Sequence, residues 1–124
     1  MKAIMAVRLG GPEVLELQEV PDPAAGAGEL LIDVVSSGVN MADASSTRGQ
    51  YAASPPPPFI PGLEVAGRDQ EGRPVLAIVR SGGYAEKVVA DQRLVFPAAD
   101  LDLESAGGSL LVTFTAFYAL RFMA

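Results

Sequence analysis

The stretch Pro55-Pro56-Pro57-Pro58-Phe59-Ile60-Pro61-Gly62-Leu63-Glu64-Val65-Ala66-Gly67 decides how the rest of the chain must fold. Its five prolines fix φ and remove backbone donors, so the first half is neither helix nor central strand. Phe59 and Ile60, large and apolar among those prolines, mark a rigid connection lying on a core. Pro61-Gly62 is a turn signal, and Glu64-Val65-Ala66-Gly67 reads as the start of a strand ending where the backbone must stay small. Glu64, just past the turn, is either a satisfied structural carboxylate or part of a site.

Upstream, Met1 to Leu9 alternates, with Ala3, Met5, Val7 and Leu9 on one face and Lys2 and Arg8 on the other, the pattern of a half-buried strand. Gly10-Gly11-Pro12 turns the chain. Val14 to Val20 reads as a second strand, with Leu15 and Leu17 opposite Glu16 and Gln18. Pro21 to Gly28 is a surface loop. Leu30 to Ser36 is more continuously apolar and predicts a more central strand. Met41 to Gly49 suits a short helix with Asn40 as its cap.

Downstream, Asp69-Gln70-Glu71-Gly72 is a tight polar turn between Val65-Ala66 and Val75 to Val79, a hairpin by pattern. Tyr84 to Ala90 reads as a strand, and Leu94-Val95-Phe96 as a short one stopped by Pro97. Asp102 then suits an N-cap, and Leu103 to Met123 reads as helix, bent at Gly107-Gly108. Ser105 to Leu120 is uncharged, but it is shorter than the roughly 20 residues a membrane span needs and Arg121 interrupts it. A helix buried on all sides is the expectation. Many short strands punctuated by Gly and Pro, then a terminal helix, predict a mainly β fold: a small, mostly antiparallel barrel.

Length and composition set the outer bounds. The 124 residues make one domain's worth of chain, and a hydrophobic content of 49% argues against disorder. A net charge of −6 without a basic cluster gives no footprint for nucleic acid. Cysteine and histidine are both absent. That rules out disulfides, thiol nucleophiles, imidazole bases and Ser-His-Asp triads, and leaves zinc only oxygen ligands, a poor match to that metal. With no basic-then-apolar leader at the N-terminus, a cytoplasmic location is expected.

Several of these pieces together resemble a known family. Gly38-Val39-Asn40-Met41-Ala42-Asp43 and the proline stretch look like the catalytic-domain core of the medium-chain dehydrogenase/reductases, and are most similar to the zinc-free quinone oxidoreductases of the zeta-crystallin branch. Gly10-Gly11-Pro12-Glu13-Val14-Leu15, Gly82-Gly83-Tyr84-Ala85-Glu86 and Thr115-Ala116 fall in that family's order. The resemblance implies a GroES-like, partly open barrel with a C-terminal helix, spanning residues 1–124 as a catalytic domain. The family's Rossmann domain has no counterpart here, because Gly26-x-Gly28 continues into a strand and not a helix.

Site residues follow from the same resemblance. Asn40 and Leu63 stand where zinc-dependent relatives place a cysteine and a histidine, so no metal is expected. Asn40, Asp43 and Tyr51 would line the cleft beside the nicotinamide, with Ser45 replacing a tyrosine common in relatives. Thr115 would approach the cofactor together with Asn40. From the residues alone, other roles stay open: Asn40 as a helix cap, Tyr51 as loop packing, and Thr115 bonded to its own helix turn. The implied activity is NADPH-dependent hydride transfer to a quinone or electron-poor enone, with little turnover expected of a chain lacking a nucleotide-binding domain. A non-enzymatic self-associating or partner-binding module, and an enoyl reductase of the same superfamily, remain as alternatives. The apolar residues from Leu110 to Phe122 are spread around the helix, which predicts a homo-oligomer joined through about 109–123. No nucleic-acid or membrane partner is expected.

Overall fold

The run after Pro61-Gly62 becomes a strand because its side chains have two apolar faces to fill. In the computed structural model, which describes residues 1–123, this is strand β4 (Glu64–Arg68). The strands before it are β1 (Lys2–Ala6), β2 (Leu15–Glu19) and β3 (Glu29–Ser37). After it come β5 (Pro74–Ile78), β6 (Lys87–Asp91) and β7 (Val95–Pro97). Five strands form one antiparallel sheet in the order β6-β3-β4-β5-β7, curled into half a barrel, and β1 and β2 pair as a separate hairpin. The helices are α1 (Met41–Thr47), α2 (Leu103–Ala106) and α3 (Leu110–Tyr118).

Alternation along β4 and β5 divides the core between the two faces of the sheet. Val65, Val75 and Ala77 join Ile32, Val79, Val88 and Ala90 inside the curl. Ala66 and Leu76 face the other way, onto Ala98, Leu103, Ala106 and Leu110. Each buried valine, isoleucine or leucine stabilises the fold by about 2 kcal/mol, so either face alone is a substantial core. Strand β3 is central as its composition predicts: it pairs with β4 on one side and β6 on the other, with a bulge between Val34 and Ser36. The strands approach so closely at Gly67 that a Cβ there would stand 2.2 Å from the Asp33 carbonyl oxygen.

The proline run lies against the core and is tied down through its carbonyls, the only backbone hydrogen-bonding groups a proline keeps. Gly82 N–H donates to Ile60 O at 2.7 Å and Tyr84 N–H to Pro61 O at 2.9 Å. Phe59 exchanges backbone hydrogen bonds with Ala6 and packs with Ala6 and Val14, which fixes the β1–β2 hairpin to the run. The Pro57–Pro58 bond is cis.

Three sequence expectations are corrected. The first hairpin does not alternate cleanly: Ala3 and Ala6 are its buried positions, Leu17 is exposed, and Val14 belongs to a short 3-10 turn (Pro12–Val14), because the hairpin packs only through its edges. The strand expected from Tyr84 begins at Lys87. The terminal helix is neither continuous nor buried on all sides. It breaks at Gly107-Gly108, since Gly107 sits on Ser36 with no room for a Cβ: one would lie 2.5 Å from Ser36 Oγ. Beyond the break, α3 packs on the sheet through Leu110 and its Phe114–Phe96 edge-to-face contact. It then winds into a π-type turn (Ala119–Met123), and apolar residues of both face outward, Phe117 of α3 at 62% and Leu120 of the turn at 76% exposure. None of the helices formed by the described residues is long and apolar enough to cross a membrane.

Candidate functional site

The end of β3 delivers the chain to Asn40, which caps α1 in an extended conformation, φ −123° and ψ 158°. Asp43 lies at the third position of that helix and reaches back, accepting the Asn40 backbone N–H at 2.7 Å through Oδ2. An N-terminal carboxylate of this kind satisfies a donor that the helix cannot. Its other oxygen, Oδ1, accepts Gly62 N–H at 3.2 Å, which fastens α1 to the Pro61-Gly62 turn. Asp43 is buried, and both its oxygens are engaged.

Asn40 is half-buried, and its amide points to a second carboxylate. Nδ2 donates to Glu64 Oε1 at 2.9 Å. Glu64 is 1% exposed, and its Oε2 accepts the backbone N–H groups of Leu110 and Leu111, both at 2.9 Å. These are orphan donors of the first turn of α3, where a negative side chain is also favoured by the helix dipole. Glu64 therefore joins the cap of α1 to the start of α3 through the sheet. Gly38 makes room for it: a Cβ there would meet Glu64 Oε1 at 2.4 Å.

A cavity of about 270 Å³ opens beside α1, lined by Val39, Asn40, Asp43, Arg48, Pro61 and Tyr84 among others. Most of this lining is apolar. The Tyr84 hydroxyl is buried without a hydrogen-bond partner among the described residues, and burial, with the negative charge of Asp43 nearby, pushes its ionisation up. An orphan hydroxyl of this kind is uncommon in a native interior.

Of the residues singled out in the sequence, Asn40 and Asp43 meet at this cavity. Tyr51 does not line it; it lies exposed in the turn after α1. Thr115 is exposed midway along α3 and does not line the cavity. Glu64 is the residue the site depends on and whose role its sequence position left undecided. Tyr84, part of the Gly82–Glu86 motif and of an expected strand, has no site role in the sequence reading. Its signal is the adjoining Gly82-Gly83, where the chain is stripped to backbone so that Gly62 can approach: a Cβ on Gly62 would lie 2.7 Å from Gly83 Cα.

This arrangement is that of a GroES-like domain of the alcohol dehydrogenase kind, and residues 26–74 match the family described as the alcohol dehydrogenase GroES-like domain. The chain belongs with the medium-chain dehydrogenase/reductases, and its relatives there are quinone oxidoreductases. It is 36% identical to the quinone oxidoreductase of Lama guanicoe over 97% of its own length and 40% of that protein's. The quinone oxidoreductase of Thermus thermophilus, solved alone and with NADPH, superposes with a TM-score of 0.88 at 40% identity, over 98% of this chain and 40% of that one. A mycobacterial protein solved with NADPH superposes with a TM-score of 0.92 at 33% identity, over 99% of this chain and 42% of that one. The chain thus spans about 40% of the length of the curated relatives it matches.

Proposed function

We propose that this chain is the catalytic-domain portion of an NADPH-dependent quinone oxidoreductase that works without zinc, in the cytoplasm. The observation that carries the reading is Asn40: an amide, and not a metal ligand, stands at the helix cap beside a mostly apolar cavity, in a chain with no cysteine or histidine. Among the described residues, no three acidic side chains come together as a metal site either. An amide can hydrogen-bond a carboxamide or a carbonyl but cannot act as a Lewis acid.

The residues present fit a nicotinamide better than a whole dinucleotide. Asn40 offers an amide and the apolar cavity wall a surface for a flat ring, and Thr115 offers an exposed hydroxyl on α3. The glycines at Gly26 and Gly28 lead into β3, so the helix N-terminus that usually receives a pyrophosphate is not at that loop. When bound, NADPH supplies the hydride, and a quinone or electron-poor enone accepts it. On this reading, Asn40 and Thr115 hold and orient the ring, Asp43 keeps Asn40 at the mouth of α1, and Tyr51 contacts the acceptor from the loop. None of them acts as a proton-transfer catalyst.

The exposed apolar end of α3 supports self-association with a second copy through residues 109–123. Isotope-labelled chain titrated with NADPH and benzoquinone tests the ligand reading. The Asn40 side chain and the amide of Thr115 are expected to shift first. Shifts confined to regions away from both would overturn it.

A further inference from the structure

The direction of the Asn40 amide is fixed by what lies behind it. A carboxylate has acceptors only, so only the Nδ2 end of Asn40 can face Glu64 Oε1, and Oδ1 is turned away from it. Glu64 itself has no freedom to rotate out of this role. Its Oε2 is held by the two N–H groups of Leu110 and Leu111, and Gly38 is packed against its Oε1 and Cγ.

We propose that Glu64 is the positioning residue for Asn40: it selects the amide orientation that turns Oδ1 toward the Asp43 backbone N–H, as the capping box of α1 requires, and leaves that oxygen's second lone pair for a ligand at the cavity. This rests on the reading of Asn40 as a ligand contact. It deepens that reading by naming what Asn40 asks of its ligand, a hydrogen-bond donor for the remaining lone pair of Oδ1, as a primary carboxamide provides. It also makes the orientation a property of the pair. A glutamine at position 64 carries one acceptor and one donor. The helix N–H groups claim the acceptor, the donor is left facing position 40, and Asn40 must turn round to offer its oxygen inward.

Asn40 is the only asparagine in the chain, so its side-chain amide can be labelled with nitrogen-15 and observed alone. In the wild-type chain one Asn40 amide proton is expected to exchange about tenfold more slowly than the other, as suits a hydrogen bond to a charged acceptor. In Glu64→Gln that protection should disappear from Asn40 and appear on the new glutamine amide. Asn40→Asp alone should lower the thermal midpoint, because it sets two carboxylates at hydrogen-bonding distance. Adding Glu64→Gln to Asn40→Asp should recover most of that loss, the donor and acceptor having exchanged places.

An Asn40 amide that exchanges freely in the wild type, or looks the same in Glu64→Gln, would overturn the proposal, as would a double variant no more stable than Asn40→Asp. These readouts need no ligand. If they come out as expected and neither NADPH nor benzoquinone moves the Asn40 signal, Glu64 still orients Asn40, and it is the ligand reading that fails.

Discussion

Two buried carboxylates, Asp69 and Glu64, solve the same problem by opposite means. Asp69 keeps its partners local. Its Oδ1 accepts Glu71 N–H at 3.0 Å and Arg73 N–H at 2.9 Å, and its Oδ2 takes Arg73 Nε at 2.7 Å. Burial pushes its ionisation up, but the Arg73 side chain and the backbone donors outweigh that and hold it low. Glu64 is in no ion pair among the described residues, and its partners belong to two other elements: Asn40 at the cap of α1, Leu110 and Leu111 at the start of α3. Asp69 stabilises one turn. Glu64 holds three elements in a fixed relation, and the candidate site is built on that relation.

The sharpest break is Glu64→Ala. It strands two helix N–H groups and one amide donor in a buried place, a loss of about 4 kcal/mol of stability. A denaturant midpoint shift measures it, and a loss under about 1 kcal/mol would mean water replaces the carboxylate freely. Gly38→Ala is expected to cost somewhat less, about 2 kcal/mol, by forcing Glu64 aside. Because the obstacle is Glu64 itself, the Gly38→Ala, Glu64→Ala double variant should fall well short of the sum of the two singles. Strict additivity would mean that the two residues do not touch.

Asp69→Ala should cost about 1–2 kcal/mol and speed hydrogen exchange within 69–73 alone. Slower protection lost at Leu110 would erase the contrast between the two carboxylates. Phe117→Glu with Leu120→Glu should leave the monomer's stability nearly unchanged, since both side chains are already exposed. Light scattering over a dilution series should show any oligomer dissociating, and an oligomer indifferent to the pair would place the contact elsewhere. The smallest effect belongs to Asp91, an exposed version of the Asp69 arrangement. Its bonds from the Arg93 side chain and backbone N–H hold it at about 2, below its ordinary 3.8. The stabilisation from this depressed group is present above the ordinary value and fades as pH falls toward about 2. In Arg93→Ala the Asp91 carboxyl should titrate near the ordinary value, and an unshifted NMR titration curve would assign the depression to another cause.

The same contrast accounts for what the sequence made legible. The hairpin at Asp69–Arg73, the central strand at Leu30–Ser36, the cap at Asn40 and the breaks at Gly and Pro are set by neighbours a few residues apart, so pattern and turn chemistry reveal them. The role of Glu64 is decided by partners at 40, 110 and 111, and nothing in Leu63-Glu64-Val65 announces them. Tyr84 carries no site role in the sequence for a similar reason, because it meets Asn40 and Asp43, about forty residues away in the chain, at the cavity. The fate of α3 was obscured because uncharged composition marks a segment as apolar without saying how much of it the sheet can cover.

The bond from Glu64 to Leu110 also orders events in time. It closes a loop of 46 residues, and the N–H groups it satisfies belong to a helix that follows every strand of the sheet. Until β3, β4 and β5 have paired, the carboxylate has no fixed place, and the helix start has no anchor to find. Loop closure on this scale brings its entropic cost before any reward, so the contact should form on the downhill side of the folding barrier. Glu64 then acts as a late latch: truncating it should quicken unfolding and leave the folding rate almost untouched, a φ value near zero.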